Sequence, residues 1–103
     1  MNPHDLMQTN PLLSDRVRLA IMALLTGSKD EVDFKTLLDR LELTKGNLSS
    51  HMRKLEEAGL VDVHKSFVDR KPLTTYSVSA KGREEIRNYL AKVEAVLQSA
   101  MGR

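Results

Sequence analysis

Cysteine is absent from the chain. That excludes a disulfide framework, a thiolate metal site and a thiol switch. Tryptophan is absent as well, and the aromatics stop at four, Phe34, Phe67, Tyr76 and Tyr89. So few rings argue against a base-stacking platform for single strands. No apolar run approaches the ~20 residues that span a bilayer. The opening MNPHDLMQTN lacks a basic-then-apolar leader pattern, so a cytoplasmic protein with no membrane partner is expected. Enzyme motifs are missing too. There is no phosphate-binding glycine loop and no Ser-His-Asp set in a plausible scaffold, and adjacent Ser50 and His51 do not make a triad. His4, His51 and His64 share no ligand spacing and no carboxylate cluster joins them, so neither metal nor cofactor is expected. Glu56-Glu57 and Glu84-Glu85 are sequence neighbours, which point apart on a helix and do not form an acid/base couple.

What is present fits one domain. The 103 residues support a modest core that an oligomer interface can extend. The net charge of +2 is small, but it is unevenly spread. Residues 1–43 hold five Lys/Arg against seven Asp/Glu, a net of −2, and residues 44–103 hold eleven against seven, a net of +4. A basic second half suits a nucleic-acid footprint, although mild surface bias would look the same.

The densest signal is LTKGNLSSHMRK, residues 43–54, which carries Lys45, Arg53 and Lys54 and no acid. Asn47, Ser49, Ser50 and His51 add short side chains able to hydrogen-bond a base edge or a phosphate. Leu48, Met52 and Leu55 recur at helical spacing. A helix with one apolar face and one small, polar, basic face suits a DNA major groove.

The rest of the chain frames that helix. Residues 1–9 read as a flexible tail. Asn10-Pro11 reads as a helix start, and Leu13, Val17, Ala20, Ile21 and Leu24 predict a first helix over 10–26. Residues 29–32 form a connector with room for one short extended segment. Asp33 caps a second helix, 33–42, and Thr44 caps the third, 44–58, which Gly59 ends with a left-handed turn. A tight turn between the two makes helix-turn-helix geometry. Past Gly59 the period becomes alternating, which predicts a hairpin over 60–78 that turns at Asp69-Arg70-Lys71-Pro72. Ser79 caps a last helix, 79–101. Its stripe Ile86, Tyr89, Leu90, Val93, Val96, Leu97, Ala100 and Met101 exceeds what one small domain needs, so the excess reads as a dimer seam. Leu13 and Val17 of the first helix are expected to join that seam.

The segment DFKTLLDRLELTKGNLSSHMRKLEEAGLVDVHKSFVDRKPLTTYSVSAKGREEI resembles the small winged-helix DNA-binding family related to MarR- and ArsR-type regulators. The shared pattern is the DF that opens helix two, LTKGNLSSHMRKLEEAGLV, KSF with RKPLTTY across the wing, and SAKGRE at the last helix. It covers roughly residues 14–90. Met52 and Leu60 replace usual larger residues but keep their hydrophobic character. The resemblance implies a homodimeric, sequence-specific DNA binder that regulates transcription. The expected fold is mostly α (α+β), a winged helix-turn-helix with a two-stranded wing and a long C-terminal dimerisation helix.

On that expectation Lys45, Gly46 and Asn47 meet base edges or flanking phosphates, with Gly46 allowing close approach. Asn47 can pair with adenine or satisfy its own backbone. Ser49, Ser50 and Arg53 face the groove, unless Arg53 is a surface arginine paired with Glu56 or Glu57. Lys54 is a phosphate contact, and His51 a phosphate or packing contact at the flank. Arg70 and Lys71 at the wing tip enter the minor groove or track the backbone, unless Asp69 neutralises Arg70. Lys65 is a further phosphate candidate. Arg16 and Arg18 can touch phosphates across the groove, but surface salt bridges, for example with Asp15, are expected over that.

The expected partner is double-stranded DNA with a roughly palindromic operator. Repression by occluding polymerase is expected over activation, because the domain leaves nothing spare to recruit it. Two rivals carry the same fold, a protein-interaction module and a sequence-indifferent architectural binder. A small-molecule effector is an open partner that no residue pattern specifies.

Overall fold

The computed structural model describes residues 2–102. The elements are α1 (Arg16–Thr26), β1 (Val32–Asp33), α2 (Phe34–Leu41), α3 (Lys45–Glu57), β2 (Val61–Val68), β3 (Lys71–Val78) and α4 (Ala80–Ala100). Two 3-10 segments, Pro3–Gln8 and Pro11–Ser14, precede α1.

Each α-helix starts where a side chain captures an orphan backbone N–H. Asp33, Thr44 and Ser79 accept from Thr36, Asn47 and Gly82, as the sequence predicts. The first helix differs from its predicted 10–26. Asn10-Pro11 opens only a 3-10 turn, and Asp15 is the true cap. Its carboxylate accepts from Val17 at 2.8 Å and Arg18 at 3.1 Å, which requires an extended Asp15 backbone and so breaks the segment in two. The expected flexible tail is also corrected. Pro3–Gln8 forms a 3-10 helix with a reciprocal Asn2/Asp5 capping box, and it packs against α4. Met1 lies outside the described residues.

The sheet order is β1-β3-β2, antiparallel throughout. The hairpin is the predicted two-stranded wing, paired from Val61–Val78 out to Val68–Lys71. At its base β1 adds two residues, Val32 opposite Tyr76 and Asp33 opposite Thr75. The turn is tighter than expected. Only Asp69 and Arg70 form it, with φ of 51° and 66°, as a two-residue primed turn requires. Lys71 and Pro72 therefore belong to β3. Pro72 is tolerated there because β1 reaches only Thr75 and Tyr76, so β3 has a free edge beside Pro72.

The core gathers Ile21, Met22 and Leu25 of α1, Leu37 of α2, Leu48, Met52 and Leu55 of α3, Leu60, Val61 and Tyr76 of the hairpin base, and Ile86 of α4. Leu13 is 0% exposed and Ile86 3%, so both are spent on the protomer's own core and not on the expected dimer seam. The physical reason is position. Leu13 sits in the 3-10 turn folded onto the domain, and Ile86 lies in the part of α4 that docks there. Beyond that part α4 runs on, and the molecule measures 57 × 25 × 22 Å.

A single joint holds α3, the wing and α4 together. Gly59 takes the predicted left-handed turn with φ of 76°. The Ser79 hydroxyl donates to the Gly59 carbonyl at 2.6 Å and accepts from the Gly82 N–H at 2.9 Å. The Lys81 ammonium donates to Ala58, the end of α3, at 3.0 Å. Gly82 rides directly on the chain. A Cβ there would sit 2.0 Å from the Leu60 carbonyl oxygen and 3.0 Å from the Met22 methyl.

Gly82→Ala is therefore expected to destabilise the fold by about 2 kcal/mol or more, since overpacking outweighs the helix-propensity gain. The shift in urea midpoint measures it. A midpoint equal to or above wild type would mean that the close approach carries no weight.

Candidate nucleic-acid interface

Helix α3 is fixed by its inner face. Leu48, Met52 and Leu55 are buried at steps of four and three, which turns Gly46, Ser49, Ser50 and Arg53 outward. Lys45, Asn47 and Lys54 flank that stripe, and all seven residues are exposed. Thr44 supplies the cap at 3.1 Å, so the Asn47 side chain is not needed for it. Nothing lies within 4 Å of a Cβ built on Gly46, so the start of the helix presents bare backbone to the outside.

Of the two roles expected for His51, phosphate contact or packing contact, the structure shows packing. The residue is half-buried, and its Nδ1 accepts from Arg18 Nη1 at 3.1 Å. Arg18 in turn donates from Nε to the Leu12 carbonyl at 2.8 Å, and Asp15 Oδ1 lies 4.0 Å from the same histidine nitrogen. A guanidinium only donates, so Nδ1 must be the acceptor and a neutral His51 carries its proton on Nε2. His51 is thus a packing contact that ties α3 to α1. Arg18 is engaged in the same tie, not in a surface ion pair with Asp15.

The cations tell a consistent story. Among the described residues the ion pairs are Lys35–Asp39 and Arg87–Glu84, and two histidines lie near carboxylates, His51 by Asp15 and His64 by Glu31. None takes Lys45, Arg53, Lys54, Lys65, Arg70 or Lys71. Arg53 is not paired with Glu56 or Glu57, and Asp69 does not neutralise Arg70. Two exposed cationic segments result, one on α3 and one on the wing, joined through Gly59 and Ser79.

At the wing base the sheet assembles a network the sequence did not reveal. Glu31 reaches Thr75 Oγ1 by a short hydrogen bond and lies 3.7 Å from His64 Nε2, which also contacts Ser77 Oγ at 3.2 Å. These residues lie up to 46 positions apart in sequence, and no local pattern links them; only the order β1-β3-β2 brings them together. Ser77 and Glu31 approach the same ring nitrogen. A nucleophile relay needs both nitrogens, so this cluster anchors the wing and is not a catalytic triad. Among the described residues no group of three His, Cys, Asp or Glu could hold a metal, and no helix is long and apolar enough to cross a membrane.

A helix-turn-helix with an outward polar stripe, continued by a hairpin with free cations, is a winged-helix architecture. The model of the winged helix DNA-binding domain matches residues 17–97. The chain belongs to that family. This winged-helix chain is 39% identical over 77 residues to the uncharacterised protein MJ0432 of Methanocaldococcus jannaschii, covering 75% of this chain and 83% of the relative. It superposes on a transcriptional regulator homologue from Pyrococcus horikoshii OT3 with a TM-score of 0.84 at 35% identity, covering 94% of each chain. A PadR-like transcription factor from Bacteroides fragilis shares the fold, with a TM-score of 0.71 at 17% identity over 82% of this chain and 85% of that one.

Two caps give the winged helix an acid limit. Asp15 is held below its ordinary 3.8 chiefly by the backbone N–H of Arg18, and Asp33 chiefly by that of Thr36. A carboxylate depressed in the folded state stabilises it above the unfolded value of about 3.8 and loses that contribution as pH falls through the lower folded value. Urea midpoints should therefore drop as pH falls below about 4. In the double variant Asp15→Asn, Asp33→Asn, which keeps capping oxygens that do not titrate, the drop should be shallower. Equal slopes in the two proteins would exclude the caps as its source.

Proposed function

We propose that the protein is a sequence-specific, homodimeric transcription regulator, acting in the cytoplasm as a repressor. Helix α3 enters the major groove, and the wing contacts the neighbouring backbone or minor groove. The observation that carries this reading is the unbroken set of exposed, uncommitted donors on the two segments, Lys45, Asn47, Ser49, Ser50, Arg53 and Lys54 on α3 with Lys65, Arg70 and Lys71 on the wing. A cation already paired within the protein would have to break that pair before it met a phosphate. These do not.

Roles follow from position. Gly46 and the first turn of α3 approach the base edges, where Asn47 can meet adenine and Arg53 a guanine fork. Lys45, Lys54 and Lys65 suit phosphates, which position the domain and make binding salt-dependent. Glu56 and Glu57 at the far end of α3 would repel the backbone, so the contacts end at Lys54. The half-buried His51 is left out.

The dimer rests on α4. Leu90, Leu97 and Met101 are exposed along one line at 52%, 57% and 69%, an apolar seam that water would not favour. Half-buried Tyr89, Val93 and Val96 border it, and Val17 adds to the apolar surface on α1. Two-fold pairing through this seam would set two copies of α3 on half-sites about one helical turn apart, ~34–36 Å, and make the operator a rough palindrome. Occupying the promoter is sufficient for repression.

The testing experiment is selection and sequencing of random duplexes bound at moderate salt. An enriched palindrome is expected. Salt-sensitive binding without enrichment would point to an architectural binder, and no binding at low salt to a protein-interaction module. On the enriched site Arg53→Ala should cost ~1–3 kcal/mol and relax one base position, whereas Arg70→Ala should weaken all sequences alike and lower the salt slope by about one. Gly46→Ala gives a cleaner contrast. It should leave the free fold as stable or more so while weakening DNA binding. Finally, Leu90→Glu with Leu97→Glu should sediment as a folded monomer at micromolar concentration; a wild-type protein already monomeric there would sink the dimer.

A further inference from the structure

Phe67 has no evident reason to be where it is. It sits on the wing at 75% exposure, next to Val68 at 53%. Strand alternation places Phe67 on the face that, nearer the domain, carries buried Val61 and half-buried Val63. From Lys65 outward the β2 side of this face is exposed, and across the ladder Thr74 and Pro72 line an open groove with Phe34 and Lys35 at the start of α2. Directly across the ladder from Phe67 is Pro72, so two apolar rings stand side by side on a face whose neighbouring pair, Lys65 and Thr74, is polar. An exposed phenyl contributes little burial to folding, and a threonine would serve the strand as well.

Its surroundings indicate what it meets. Lys65 lies on the same face two residues earlier, Arg70 forms the turn and Lys71 follows it, and none of the three is paired within the chain. Between Val63 and Val78 the only acid is Asp69. An apolar ridge ringed by free cations is poorly matched to a second copy of itself, because cation would face cation. Pro72 also withholds an N–H from strand addition along the free edge of β3. An anionic groove with an apolar floor of sugars and base edges matches both the charge and the rings.

We infer that Phe67, backed by Pro72, is an apolar wedge that the wing presses into the minor groove, held there by Lys65, Arg70 and Lys71. This rests on the DNA-binding reading above and adds to it a specificity element that makes no hydrogen bond. A wedge that partly unstacks a base step favours flexible pyrimidine–purine steps. Phe67 therefore selects such a step at the position the wing covers, beyond the bases that α3 reads.

The test compares wild type with Phe67→Thr, which keeps a strand former, and Phe67→Leu, which keeps an apolar wedge. Binding is measured by fluorescence anisotropy on the selected operator and on versions in which the wing-facing step is TA or AA, and bending by energy transfer between the duplex ends. Thermal stability should be equal in all three proteins, since Phe67 is exposed. Phe67→Thr is expected to bind about tenfold more weakly, to bend the duplex less and to lose the TA preference, with its salt slope unchanged. Phe67→Leu should retain most of each property. If wild type selects an operator but Phe67→Thr matches it in affinity, bend and step preference, the wedge is overturned and the DNA reading stands. Altered self-association with unaltered DNA binding would overturn the wedge in favour of a contact between copies. If wild type binds no duplex, both readings fall together.

Discussion

The first turn of α4 cannot move away from the α3–β2 junction, nor approach it with any side chain at Gly82. The Leu60 carbonyl occupies the place a Cβ would take, 2.0 Å away. Ser79 closes the same joint from the other side, its hydroxyl donating a hydrogen bond to the Gly59 carbonyl and accepting one from the Gly82 N–H. Three elements meet within a few residues there, namely the end of α3, the root of the wing and the start of α4. Their relative angles are set by backbone contact, not by side-chain fit. Backbone packed on backbone leaves little freedom, so the exposed face of α3 and the cations of the wing hold one relation to each other and to the long helix proposed to pair two copies.

The other end of the contact face is held by a different device. Asp15, Arg18 and His51 connect the start of α1 to the middle of α3. Asp15 serves two purposes, capping α1 and lying beside the histidine that Arg18 grips. With the inner face of α3 buried through Leu48, Met52 and Leu55, the helix is fixed on one side by apolar packing and on its flank by this polar tie. A preorganised contact surface loses less entropy when it binds. The polar groups left over on its outer side are therefore those that can meet a ligand without first breaking anything.

Helix α4 divides its apolar stripe between two tasks. Its docked end gives Ile86 to the domain core, and its protruding end leaves Leu90, Leu97 and Met101 uncovered. The wing divides likewise. Its base packs through Val61 and Tyr76, whereas its outer half stands clear with Phe67 and Pro72 on the inner-facing side. In both elements the same periodicity runs through the buried and the exposed part, and only the extent of the domain decides where one task ends.

That division separates what the residues determine locally from what they do not. Helix starts at Asp33, Thr44 and Ser79, the left-handed Gly59, the alternation of the hairpin and the amphipathic face of α3 were all legible, because each depends on neighbours within about four residues. The family was legible for the same reason, since its pattern is a chain of such local signals. The finer placements were not. Whether Asn10 or Asp15 starts the first helix is decided by which backbone N–H groups the carboxylate can reach. The tail folds because α4 offers it a surface, and Leu13 and Ile86 are withdrawn from the seam because the core takes them. His51 turns inward because Arg18, 33 positions away, donates to it. Glu31, His64, Thr75 and Ser77 meet only through the sheet order. Periodicity states that a residue is on a face; only the tertiary structure decides what that face touches, because burial and hydrogen-bond partners belong to the packing of distant elements.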